Sequence, residues 1–230
     1  MSVLTPPPGV LSAPLAPTMP ASGMQRLVLN GVSWAQYLTI GEVLRDRPAL
    51  RLTYDRGMLE FMTTSPAHEK YKKWIGRIID TLAEELNVLI EPAGHMTFQR
   101  ADLERGLEPD ECFWIAHEAQ VRGRMDWLPE RDPPPDLIIE IEVSRSAVNR
   151  MGIYAALGCP EVWRFDGETL RVVVLQADRT YHGVERSPAF PAIPPGDLVP
   201  FLIANEQIDY LSRIRAFRTW VQQQLTSKPI

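Results

Sequence analysis

Three carboxylates interrupt an otherwise apolar run, PPPDLIIEIEVSRS, from Pro133 to Ser146. Asp136, Glu140 and Glu142 stand at even spacings, and a β-strand alternates its side chains with period two. A strand here sets all three acids on one face with Ile138, and Leu137, Ile139, Ile141 and Val143 on the other. Like charges on one face repel, so the arrangement calls for water, a cation or basic side chains as a partner. Another acid, Asp110, opens a second apolar run, LEPDECFWIA. If the two strands are neighbours, the acids converge at one edge of a sheet. Converging carboxylates suit a hard divalent cation, because Mg²⁺ is held by one or two acids with water and substrate phosphates completing its shell. Such a site polarises a phosphodiester and activates water. The competing reading is a structural strand with a solvated acidic face, which needs Asp110 to lie far from Glu140.

Other chemistries find little support. The chain has no G-x-x-x-x-G-K-[ST], no G-x-G-x-x-G and no G-x-S-x-G, so neither a nucleotide cradle nor a hydrolase nucleophile elbow is indicated. His68, His95, His117 and His182 lack metal-ligand spacing, which argues against zinc. His68 falls near a helix start and reads as a surface or capping residue, with a second-tier place in the site alongside Asp136. Tyr154 and Trp163 read as core. Lysine occurs only at 70, 72, 73 and 228.

The elements that must position these residues are legible from periodicity and punctuation. Residues 1–24 are rich in Pro, Ala and Ser and aperiodic, so they read as a flexible tail before one domain spanning 25–230. LRLTYDRGMLEFMTTSP predicts two strands around a DRG turn. A long helix follows, with Ser65 as cap, Pro66 at its first position and an apolar stripe at Tyr71, Trp74, Ile75, Ile78, Ile79, Leu82 and Leu86. NVLIEPAGHMTFQR predicts strand, turn and strand, and HEAQVRGRMDWLPERDPP a polar loop. A short helix is predicted over 147–157, closed by Gly158 and Pro160. EVWRFDGETLRVVVLQ predicts a hairpin turning at Asp166-Gly167. A final helix is predicted with Asn205 as cap and Ile208, Leu211, Ile214, Phe217 and Val221 on its apolar side. The order implies an α/β or α+β domain around one central, mostly mixed sheet.

Composition bounds the setting. The 230 residues are 45% hydrophobic, enough for a good core. No run approaches a membrane span, the N-terminal stretch is a poor signal peptide, and two cysteines do not make a disulfide framework. A cytoplasmic location is the simplest expectation. The net charge of -5 opposes a broad nucleic-acid surface but leaves room for a local basic groove.

LEPDECFWI, PPPDLIIEIEVSRS and IYAALGCPEVWRFDG together resemble the Uma-type endonuclease family of the PD-(D/E)XK, restriction-endonuclease-like superfamily. MTTSPAHEKY, TFQRADLERG and SPAFP add to the resemblance, which covers roughly residues 25–205. It implies a four- or five-stranded mixed sheet flanked by helices and Mg²⁺-dependent cleavage of DNA, with Mn²⁺ as a substitute and a homodimer as the assembly. The family's PD falls on Pro109-Asp110 and its second acid on Glu140. Glu142 stands where the superfamily usually carries lysine, and Arg150 stands where many relatives supply a lysine from the next helix. Arginine does not deprotonate, so it stabilises charge but cannot serve as a base. On this reading Asp110 and Glu140 hold the metal, Glu142 assists, and Arg150 contacts the scissile phosphate. The alternative is a nuclease-fold nucleic-acid-binding or regulatory module with little catalysis.

Overall fold

The computed structural model describes residues 23–47, 49–142, 146–203 and 207–227. The tail expected before residue 25 therefore lies outside the described residues except for Gly23 and Met24. The Asn205 cap and Val143 lie outside them too.

The first half builds an antiparallel sheet. β1 (Arg26–Asn30) is followed by α1 (Trp34–Val43), then β2 (Leu50–Asp55) and β3 (Met58–Thr63). Asp55 pairs with Met58, which leaves Arg56 and Gly57 as a two-residue turn, both at positive φ. That backbone matches the twist of the flanking strands, and the glycine adopts it without strain.

α2 (Pro66–Leu86) starts where the sequence predicts. The Ser65 hydroxyl accepts the His68 amide hydrogen and Pro66 presets the first turn. β4 (Glu91–Pro92), β5 (Phe98–Arg100), β6 (Arg105–Leu107) and β7 (Glu111–Trp114) follow, then the single turn α3 (Glu118–Val121) inside the expected polar loop. β8 (Leu137–Ile141), α4 (Arg150–Leu157), β9 (Glu161–Phe165), β10 (Leu170–Leu175), β11 (Tyr181–Val184), α5 (Val199–Leu202) and α6 (Tyr210–Ser227) complete the chain.

The strands form two sheets where the sequence suggested one. The first is five-stranded, β1-β3-β2-β6-β5, and the second six-stranded and mixed, β11-β10-β9-β8-β7-β4. β8 and β9 run parallel; the other neighbours in the second sheet are antiparallel. The β4 and β5 segments, which read as successive strands, end up in different sheets.

β8 lies inside the second sheet with both faces covered, which explains its near-continuous apolar run. Leu137, Ile139 and Ile141 pack with Ile75, Ile78, Ile79 and Leu82 of α2 and with Phe217 and Val221 of α6. Ile138 faces the other way, into a core with Cys112, Ile153, Tyr154 and Val162. Alternation thus turns Glu140 towards α4, as the spacing requires.

Two helix boundaries move from the sequence expectation. α4 begins at Arg150, because the Ala147 amide and the Ser146 hydroxyl both donate to Glu60 of β3 and Asn149 serves as cap. α6 begins at Tyr210, where Asp209 accepts the Ser212 amide hydrogen. Ile208 then precedes the helix and, like Leu211, is exposed, while Ile214, Phe217 and Val221 are buried.

Candidate active site

β7 and β8 pair antiparallel with Glu111 opposite Ile139. Extending that register by one residue sets Asp110 opposite Glu140, with both side chains on one face. The Asp110 carboxylate accepts the Ile141 amide hydrogen at 2.7 Å, which ties the end of one strand to the next. Both acids are buried, Asp110 3% and Glu140 6% exposed.

Arg150, in the first turn of α4, spans the space between the two sheets. Its Nη2 donates to Glu140 Oε1 at 2.5 Å, and its Nε lies 3.2 Å from both Glu140 oxygens. Nη1 donates to the Thr53 hydroxyl of β2 at 2.7 Å, and Nη2 to the Glu108 carbonyl at 2.8 Å. The Tyr154 hydroxyl, one turn along α4, donates to Glu140 Oε1. Planar guanidinium geometry makes this possible, since separate nitrogens reach separate elements.

From α2, the His68 ring meets Asp110 with Nε2 3.1 Å from Oδ2. Among the described residues neither ring nitrogen has a well-aligned hydrogen-bond partner, although the residue is 1% exposed and Nε2 lies within ion-pair range of Asp110. His68 is therefore an interior member of the site, not the surface or capping side chain its position suggests; its amide, not its ring, serves the cap.

One turn further along α2, Lys72 is buried, with Nζ 3.5 Å from His95 Nδ1 and 4.0 Å from Glu111 Oε1.

Burial raises the Glu140 pKa and the neighbouring Asp110 charge adds to that, with Arg150 opposing both. Burial also pushes Asp110 up, but the His68 ring, Arg150 and the Ile141 amide outweigh it and hold Asp110 below its ordinary value. Burial disfavours the His68 cation, yet Asp110 and Glu69 overcome this and raise its pKa. Lys72 is lowered by burial and by Arg51, against the pull of Glu111, Glu69 and Asp110. The two strand acids thus shift in opposite directions, Asp110 downward and Glu140 upward. Paired titratable groups driven apart in this way are a recurrent feature of catalytic sites.

The structure gathers Asp110, Glu140, Arg150 and His68, and places two other expected residues elsewhere. Glu142 shares the Glu140 face, but its carboxylate is taken by Arg164 at 2.8 and 2.9 Å. Asp136 accepts the Ile115 and His117 amides and meets His117 Nδ1 at 2.6 Å, which fixes the loop after β7. Among the described residues no three His, Cys, Asp or Glu side chains form a ready metal cluster. Sequence reasoning missed Thr53, the Tyr154 hydroxyl and Lys72. The Lys72 signal was available, because residues four apart on a helix share a face and His68 lies four before it. Thr53 carried none.

The Uma2 family model, described as "Putative restriction endonuclease", matches residues 34–204. No curated protein matches the chain. Among solved structures, the crystal structure of a "putative nuclease belonging to DUF820" from Anabaena variabilis aligns with 13% sequence identity and a TM-score of 0.44. The alignment covers 74% of this chain and 90% of that one.

Proposed function

The chain belongs to the Uma2 "Putative restriction endonuclease" family, and we propose that it is a Mg²⁺-dependent nuclease that hydrolyses phosphodiester bonds in DNA. The observation that carries this reading is the side-by-side placement of Asp110 and Glu140 on adjacent strands under one arginine.

The donor chemistry fits a hard cation. Two carboxylates suffice for Mg²⁺, which keeps several waters. An ionised carboxylate offers about four lone-pair sites. Among the described residues Glu140 Oε2 meets only the Arg150 Nε, at 3.2 Å, so that oxygen retains capacity. Asp110 and Glu140 would hold the ion. When bound, it supplies Lewis-acid activation of the phosphodiester and of water.

The surrounding residues have roles of their own. His68 keeps Asp110 ionised at the pH where a metal must bind. Tyr154 fixes the Glu140 rotamer. Arg150 stabilises the negative charge that develops on the phosphoryl oxygens, a task that needs no deprotonation. Glu142 acts through Arg164 and stays outside the metal's first contacts.

The test is cleavage of supercoiled plasmid and of single- and double-stranded oligonucleotides with Mg²⁺, Mn²⁺ or EDTA. Cleavage should require a divalent ion and vanish in Asp110→Asn and Glu140→Gln. Arg150→Ala should lower it at least about tenfold, or roughly 1.4 kcal/mol of transition-state stabilisation. Metal-independent cleavage, or wild-type activity in Glu140→Gln, would overturn the assignment. DNA binding with no cleavage in any metal would favour the binding-module reading, in which Arg150 neutralises Glu140 permanently.

A further inference from the structure

Rows of side chains run across the six-stranded sheet. Glu140 on β8 stands beside Arg164 on β9, and Arg164 stands directly opposite Arg171 on β10. All three lie on the α4 face, because Ile138 and Val162, two residues before Glu140 and Arg164, pack in the α4 core. Neighbouring strands are about 4.8 Å apart, so the row leads outward from the site in short, even steps.

Two arginines directly opposite each other in an antiparallel pair destabilise the sheet. Here each is restrained by one acid just past a strand end. Glu142 takes Arg164 with two hydrogen bonds, and Asp166 lies 3.5 Å from Arg171. Over the row opens a cavity of about 600 Å³, lined by Arg150, Arg164, Arg171, Ser146 and Asn149 together with those two acids. Arg150 borders both this cavity and the Glu140 cluster, so the two are neighbours on either side of one side chain. Arg164 and Glu142 are about one-third exposed and Arg171 is 67% exposed, so a ligand can reach them.

A concentration of arginine in a chain of net charge -5 points to an anionic ligand. The guanidinium fork matches phosphate as well as carboxylate, so a phosphodiester can replace Glu142 on Arg164 without loss of geometry.

We propose that this groove is a phosphate track, in which Arg164 and Arg171 bind phosphodiester groups flanking the bond held at Asp110 and Glu140. The proposal rests on the nuclease reading above. It assigns Glu142 as the carboxylate that occupies Arg164 until nucleic acid arrives.

The experiment is fluorescence anisotropy of a short fluorescein-labelled DNA duplex with the full chain in EDTA, over a NaCl series. Binding of duplex DNA weakens with log salt by about 0.9 per phosphate contact. Arg171→Ala and Arg164→Ala should each reduce that slope by about 0.9, and Arg171→Lys should retain it. Glu142→Gln should tighten binding. Arg77→Ala, on α2 across the sheet, should leave the slope unchanged and controls for net charge. Should Arg164→Ala fail to fold, Arg171→Ala decides alone, because its side chain is mostly in solvent. Unchanged slopes in both alanine variants, an equal loss in Arg77→Ala, or no wild-type binding at any salt would each overturn the track. Metal-dependent cleavage with unchanged slopes would sink the track and leave the nuclease standing.

Discussion

Arg150→Met keeps an unbranched apolar stem between the sheets and removes the cation over Glu140. Glu140 keeps the Tyr154 hydroxyl but is 6% exposed, so water cannot replace the guanidinium. Removing one partner of a buried ion pair costs about 3–5 kcal/mol. The lost bonds to Thr53 and to the Glu108 carbonyl place this case in the upper part of that range. The cost depends on pH with a definite sign. Burial already holds the Glu140 pKa above its ordinary value of 4.5, and losing Arg150 raises it further. A group whose folded pKa lies above its unfolded one supports the fold fully below the unfolded pKa, and that support is lost as pH rises through the folded pKa. Near pH 4.5, where Glu140 is protonated in both proteins, Arg150→Met should therefore lack only the bonds to Thr53 and to the Glu108 carbonyl. Above the wild-type folded pKa of Glu140 it should fall further behind, by about 1.4 kcal/mol per pH unit, until Glu140 ionises in the folded variant as well. Urea unfolding followed by tryptophan fluorescence at a series of pH values reads this directly. Glu140→Gln/Arg150→Met should recover most of the loss at pH 8, because no charge is left to bury. A deficit that is flat with pH, or a double variant no better than Arg150→Met, would refute an ionised Glu140 held by Arg150.

Burial, Arg51 and Lys72 push the His95 pKa down to about 4 from 6.5, so its neutral form supports the fold above pH 6.5 and that support is lost as pH falls towards 4. His95→Gln should flatten this acid limb in urea titrations, and a wild-type-minus-variant difference constant from pH 7 to pH 4 would contradict it. Tyr154→Phe should cost about 1.5–3 kcal/mol, the worth of a buried hydrogen bond to a charged acceptor, and should lower the calorimetric Tm by several degrees. An unchanged Tm would mean that the hydroxyl contributes nothing to Glu140.

Much of the site was legible because its signals are local. The even spacing of Glu140 and Glu142 gave their common face, and the Ser65-Pro66 start of α2 gave the turn from which His68 projects. The family match spans every residue of the cluster. His68 was misjudged because a cap position says where a backbone starts, not what the side chain of the first turn will meet. Lys72 lies outside both positions where relatives carry lysine, Glu142 and Arg150, which are far from α2 in sequence.

The sequence determined the elements and the facing of their side chains, since strand and helix periods follow from backbone geometry alone. The partner of each acid was decided only by tertiary structure. Glu140, Glu142 and Asp136 share spacing and chemistry, yet one meets Arg150, one Arg164 and one His117. Those pairings follow from the parallel register of β8 with β9, from where α4 begins, and from the approach of the two sheets at Thr53. Arg150 and Thr53 are separated by 97 residues. No local pattern encodes such a contact, because the free energy that closes a loop of that length comes from burying two whole sheets rather than from the two side chains that finally touch.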